Sequence, residues 1–141
     1  MGRVKAIAWP CALFLLLAGC FWRSYGARLA MHADLLVAMA QKGTDLVDTD
    51  RFTPENLPEL HYPLDRARAF AADAARRSGD DPPGSLRAFQ ALLAAYGEFC
   101  DAADRARHET GTPHAAVHEA TDRVRQRAAE VHEALASEGR A

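Results

Sequence analysis

The stretch LRAFQALLAAYGEFCDAA, residues 86–103, decides the fold class. Leu86, Phe89, Leu93, Tyr96, Cys100 and Ala103 follow one another at spacings of 3, 4, 3, 4 and 3, and Leu92 and Phe99 widen the stripe. That period puts all of them on one face of an α-helix. The two-residue alternation of a half-buried strand does not fit it. Sustained steps of three and four also favour helices packed nearly in line, crossing at roughly 20°. Ser85 reads as the cap of this helix and Gly111 as its end.

Working outward toward the C-terminus, Thr112-Pro113 reads as the next helix start, a capping residue followed by proline at the first helical position. Val117, Thr121, Val124, Ala128, Val131 and Leu135 then recur at steps of 4, 3, 4, 3 and 4. Toward the N-terminus, Ser78-Gly79-Asp80-Asp81-Pro82-Pro83-Gly84 is a break. Before it a helix runs from near Pro63 to Arg77, with Leu60, Leu64, Ala67, Ala71 and Ala74 as its apolar stripe and Phe70 beside them. Residues 48–62 read as an ordered connection. Thr53-Pro54 gives it a helix-start signal, and Pro58 and Pro63 limit any helix there to about a turn. A first helix spans about Tyr25 to Val47, with Leu29, His32, Leu35, Leu36, Met39, Gly43 and Leu46 on one face.

Short breaks make consecutive helices antiparallel neighbours. The expected architecture is therefore all-α, an up-down four-helix bundle over residues 25–141 that follows an N-terminal signal helix. A three-helix bundle with the first helix lying apart is the competing arrangement. A homodimer could cover any apolar stripe left over.

Residues 1–25 have a different character. Met1–Lys5 is basic through Arg3 and Lys5, Ala6–Ala18 is apolar without a charge, and Leu17-Ala18-Gly19-Cys20 closes the run. The first two zones have the layout of a secretory signal. The closing tetrad resembles the lipobox of bacterial lipoproteins: a leucine, two small residues and a cysteine. The resemblance covers about 20 residues and implies nothing about the rest of the chain. It implies that residues 1–19 are a signal peptide and that the Cys20 thiol receives a diacylglyceryl group. A dedicated peptidase then cuts before Cys20, and a further acyl chain such as palmitate is often added to the new amino terminus. Residues 20–24 would form a membrane-proximal N-terminus. Ala6–Trp22 also reads as an uncleaved membrane helix. At about 17 residues it sits at the lower edge of a span, and Pro10 interrupts it. A conventional signal peptide cut near Ala18 is the remaining reading.

Phe21, Trp22, Arg23 and Tyr25 suit a lipid–water interface, and they suit equally the start of a packed helix. Almost no tether separates Cys20 from the first helix, so the bundle is expected close to the bilayer. Phe rather than Asp follows Cys20. By analogy with enteric sorting rules, that favours the outer membrane, facing the periplasm, in a cell that has two membranes.

The full chain has 141 residues, 17 basic and 19 acidic. Removing Arg3 and Lys5 with the signal leaves 15 basic against 19 acidic side chains, a mild acidity that argues against nucleic acid as a partner. Cys11 lies in the signal and Cys20 is the expected lipid-attachment residue, so Cys100 has no cysteine left to pair with. Its place on the apolar seam reads as a small buried hydrophobe.

His114, His118 and Asp122 share a helical face at steps of four, and two histidines at that spacing can bind one metal ion. A zinc site needs three or four convergent ligands, and the helix and paired-cysteine zinc signatures are absent, so no metal site is assigned. Met31, His32 and Met39 could meet His108 or His114 across a bundle, as axial ligands do in helical haem proteins, but there is no haem-attachment motif. No phosphate loop, acid–base carboxylate pair or nucleophile triad is present. The expectation is a non-enzymatic, lipid-anchored interaction or structural module of the cell envelope without a cofactor. It would be held at the membrane and bind an envelope protein or a wall component. A periplasmic metal- or haem-binding bundle is the alternative.

Overall fold

The seam that opens the sequence reading is buried from end to end: Leu86, Phe89, Leu92, Leu93, Tyr96, Phe99, Cys100 and Ala103 all lie in the core. The computed structural model describes residues 5–109 and 113–141. Over these the chain forms four helices: α1 (Lys5–Asp48), α2 (Asn56–Ser78), α3 (Gly84–His108) and α4 (Pro113–Ser137). No strand occurs among the described residues.

The helices alternate in direction. Near one end, Phe21 and Tyr25 of α1 meet Phe70 of α2, and the Tyr25 hydroxyl meets Ser85 at the start of α3. At the other end, Lys42 of α1 pairs with Glu59 near the start of α2, and Asp48 meets His114 and His118 at the start of α4. α3 packs on α4 and α2, and α1 touches all three others; among the described residues α2 and α4 do not meet. This is the expected up-down four-helix bundle, with α2 and α4 at opposite corners. The competing three-helix arrangement is excluded, because α1 supplies Tyr25, Leu29, Ala33, Leu36, Ala40 and Val47 to the common core.

The buried stripe of α1 runs slightly off the axis expected from the sequence. Leu29, Leu36 and Gly43 are buried, but Leu35 is exposed. Ala33 and Ala40 take the inward places instead. Gly43 is small because α1 passes α3 closely there: a Cβ added at it would lie 2.7 Å from the Phe99 ring.

Three local expectations are corrected. α2 starts at Asn56 rather than near Pro63 and carries Pro63 inside it. Pro58 falls in the first turn, where its missing N–H has no intrahelical partner to lose. Pro63 forfeits one hydrogen bond, but its ring is buried in the core, which offsets that loss. Thr53 does not cap the helix with its hydroxyl. Asn56 folds back instead, its side-chain oxygen accepting from the Thr53 amide at 2.8 Å. Ser85 is likewise not a cap; α3 begins one residue earlier, after Pro83. The Ser85 amide and hydroxyl donate to the Glu138 carboxylate at 2.9 and 2.7 Å. An acid from the C-terminus thus satisfies the positive end of α3. The expected helix end at Gly111 and the expected capping residue Thr112 lie outside the described residues.

Two helix ends are closed by the same device. Asp50 and Gly139 have φ of 54° and 69°. The next amides, Arg51 and Arg140, return to the Leu46 and Leu135 carbonyls at 2.8 Å. This is the Schellman termination of α1 and α4. It turns the last residues of the chain back over α1, where the Arg140 carbonyl lies against Gly26 so closely that a Cβ there would be 2.1 Å from it.

Candidate functional site

α1 does not stop where the bundle stops. Its 44 residues make it about 66 Å long, while the 25-residue α3 and α4 are about 38 Å. The excess projects beyond the bundle from its N-terminal end. On that projection Leu13, Phe14, Leu15, Leu16 and Leu17 are 59–73% exposed, and Cys11 and Cys20 are exposed too. Five consecutive large apolar side chains cover every direction around a helix. None is covered by protein. Fully burying one such side chain is worth about 1.5–3 kcal/mol, so their joint exposure to water is a large cost.

Burial begins abruptly at Phe21, which is 8% exposed. Its ring stacks 6.1 Å from Phe70 and carries the Arg77 guanidinium 4.4 Å above it. Trp22 packs against Tyr25 with centroids 5.0 Å apart, and Arg140 sits 5.2 Å from both rings. The packed domain thus begins at Phe21, four residues before the boundary expected from sequence, and α1 passes through Cys20 without a break. Cys20 stands on the last exposed step between the apolar projection and the core. Among the described residues, no helix is long and apolar enough to cross a membrane.

Other residues singled out in the sequence are dispersed. Asp122 pairs with Arg125 at 3.0 Å rather than joining the histidines. The third partner of His114 and His118 is Asp48 of α1, which lies 3.3 Å from the His114 Nδ1 and 2.9 Å from the His118 Nε2. His118, backed by His114, holds the Asp48 carboxyl below its ordinary range, against a smaller opposing effect of desolvation. A second contact of the same kind joins α1 to α4, His132 to Asp34 at 2.8 Å. Nothing in the sequence around Asp48 or Asp34 marks them as partners, because the contact depends on the rotation of α1 against α4. Among the described residues, no three His, Cys, Asp or Glu side chains are arranged to hold a metal ion.

Met31 points outward at 56% exposure, Met39 is half-buried and His32 lies against Phe70. His108 lies 3.8 Å from Asp104 of its own helix. Cys100 is buried in the seam, and burial pushes its thiol up to about 12. At that value the thiol stays protonated, which suits packing and not nucleophilic attack. The chain matches no protein-family model, and no curated protein or solved structure matches it significantly.

Proposed function

We propose that this chain is a bacterial lipoprotein: a helical bundle fixed to an envelope membrane through Cys20, acting as a non-enzymatic interaction or structural module. The observation that carries this reading is the coincidence of two boundaries. The lipobox-like tetrad ends at Cys20, and core packing begins at Phe21. The residues that a signal peptidase would remove are those that contribute uncovered Leu13–Leu17, and removal leaves the bundle's core entire.

The same boundary supports a second element of the proposal. A lipid on Cys20 would be followed directly by a residue locked into the core, so the bundle stands at the bilayer surface with α1 as its stem. One acyl chain binds a membrane only marginally, while two or three hold firmly. The partner is then an envelope protein or wall component within reach of that surface. Phe21 after Cys20 favours the outer membrane, facing the periplasm, in a two-membrane cell.

Mass spectrometry of the intact protein extracted from membranes tests the anchor. The expected species begins at an acylated Cys20, and Cys20→Ala should abolish the acyl mass and release from membranes any protein still processed. An unmodified chain beginning at Met1, or a cut at Ala18 without acylation, overturns the proposal. Pull-down of the lipidated protein should return a specific envelope partner, which addresses the module reading separately from the anchor.

A further inference from the structure

The α1–α2 side of the bundle carries a groove of about 280 Å³ lined by Arg28, His32, Arg66, Ala69, Phe70 and Asp73. Its floor is aromatic. The Arg28 guanidinium lies 4.7 Å from the Phe70 ring centre, and the His32 ring lies 5.1 Å from it. Arg66 enters from α2, steadied by Tyr62, whose hydroxyl accepts from the Arg66 Nη1 at 3.2 Å.

The charges in this groove are unbalanced. Among the described residues neither Arg28 nor Arg66 forms an ion pair. The one acid in the lining, Asp73, is engaged by Arg76 at 3.2 Å and Arg77 at 3.1 Å. Asp65, next to Arg66 in sequence, faces Arg68 at 4.0 Å. From α3 the Phe89 ring approaches His32, at 6.3 Å. Partial burial, then Arg28, then Arg66 push the His32 imidazole below its ordinary range. Two guanidinium groups and an imidazole therefore share a concave surface that lacks a free counter-charge. Concentrated positive charge over a low-dielectric wall attracts anions.

We propose that this groove binds the phosphate group of a small soluble anion, held between Arg28 and Arg66 with His32 as a third donor. Guanidinium groups match the oxygens of phosphate in paired hydrogen bonds. A phosphate offers enough oxygens and negative charge for three donors, where a carboxylate offers two oxygens. Phe70 leaves a flat apolar surface for the rest of the molecule. An anion beside His32 favours the protonated imidazole, so phosphate binding should raise the pH at which His32 takes up its proton.

A lipid headgroup carries the same phosphate chemistry, but height argues for the soluble source. Arg28 and His32 lie eight and twelve residues beyond Cys20, about 12–18 Å along the helix. The headgroup layer is only about 5–8 Å thick on each side of the bilayer. This choice of source rests on the proposed anchor; the phosphate site itself does not.

The test is titration of inorganic phosphate into the full chain held in nanodiscs of zwitterionic lipid, read by calorimetry and by the ring NMR signals of His32. The expected result is a saturable shift, with His32 taking up its proton at higher pH when phosphate is bound. Arg28→Met and Arg66→Met should each weaken binding at least about tenfold, with helical circular dichroism retained, and Arg125→Met should not. No saturable change, or an equal change with chloride, overturns the site. A shift seen only when the nanodiscs contain phosphatidylglycerol overturns the soluble source and assigns the phosphate to lipid. Absence of acyl mass on Cys20 would instead refute the anchor and leave the phosphate titration standing.

Discussion

Thr44 of α1 and Thr121 of α4 face each other inside the bundle with 2.6 Å between their hydroxyl oxygens. Each also lies 2.9 Å from a carbonyl of its own helix, Ala40 and Val117 respectively. Two hydroxyl protons serve three contacts, so one threonine donates to its carbonyl while the other donates across the interface. Either carbonyl contact survives loss of the opposite hydroxyl. Thr44→Val and Thr121→Val should therefore each cost only about 0.5–1.5 kcal/mol. The double variant should cost less than their sum, which a double-mutant cycle in urea measures directly.

Phe21 decides whether the packed bundle begins directly after Cys20. Its ring is buried against Phe70 and Arg77. Phe21→Ala should destabilise the bundle by roughly 3 kcal/mol or more. Leu15→Ala, six residues earlier on the uncovered projection, should leave the thermal midpoint unchanged. Equal effects of the two substitutions would show that the packed domain starts elsewhere.

The two thiols beyond Leu17 should behave as opposites. Cys20 is exposed, whereas Cys100 is buried with its thiol pushed up to about 12. Iodoacetamide at pH 8 should spare Cys100 until denaturant is added. An unlipidated preparation should label at Cys20 under native conditions. Peptide mass spectrometry reads both sites in one experiment.

Asp48 gives the α1–α4 seam a dependence on acid. Its folded carboxyl is held below the ordinary range, chiefly by His118. A depressed carboxyl contributes stability above its unfolded value, and that contribution is lost as pH falls through the folded value. Asp48→Asn should be less stable than the parent near pH 7, and the gap should close as acid protonates Asp48. The side chain is 36% exposed, so solvent screening limits the effect to about 1 kcal/mol or less. Urea midpoints of the two proteins across pH 2–7 check it.

Much of the fold was legible because the apolar spacing is regular where helices pack nearly in line. The stripes on the second, third and fourth helices, from Leu60 to Ala74, Leu86 to Ala103 and Val117 to Leu135, are all buried. α1 was harder to read. Exposed Met31 and Leu35 look more core-like than Ala33 and Ala40, yet the rotation of the helix turns the alanines inward. Pro63 misled for a related reason: proline argues for a helix boundary, and here tertiary packing overrides it. The lipobox-like tetrad was legible as a motif, while its alignment with the packing boundary needed coordinates. The phosphate groove was invisible in one dimension. Arg28 and Arg66 are far apart in sequence, and only the antiparallel pairing of α1 with α2 brings them to one surface.

If Cys20 is processed as proposed, the uninterrupted course of α1 through it constrains the order of events during biogenesis. A peptidase reads its substrate as extended chain, and the Gly19–Cys20 bond lies inside a helix whose next turn is anchored by Phe21. Helical geometry hides that bond, and fraying it after the core has closed would pull Phe21 away from Phe70. Under the proposed processing, cleavage would therefore precede final collapse, whereas acylation of the exposed Cys20 thiol would need no such opening. Maturation would run in a fixed sequence: the scissile bond is handled first, and closure of the aromatic cluster then seals the new terminus in place.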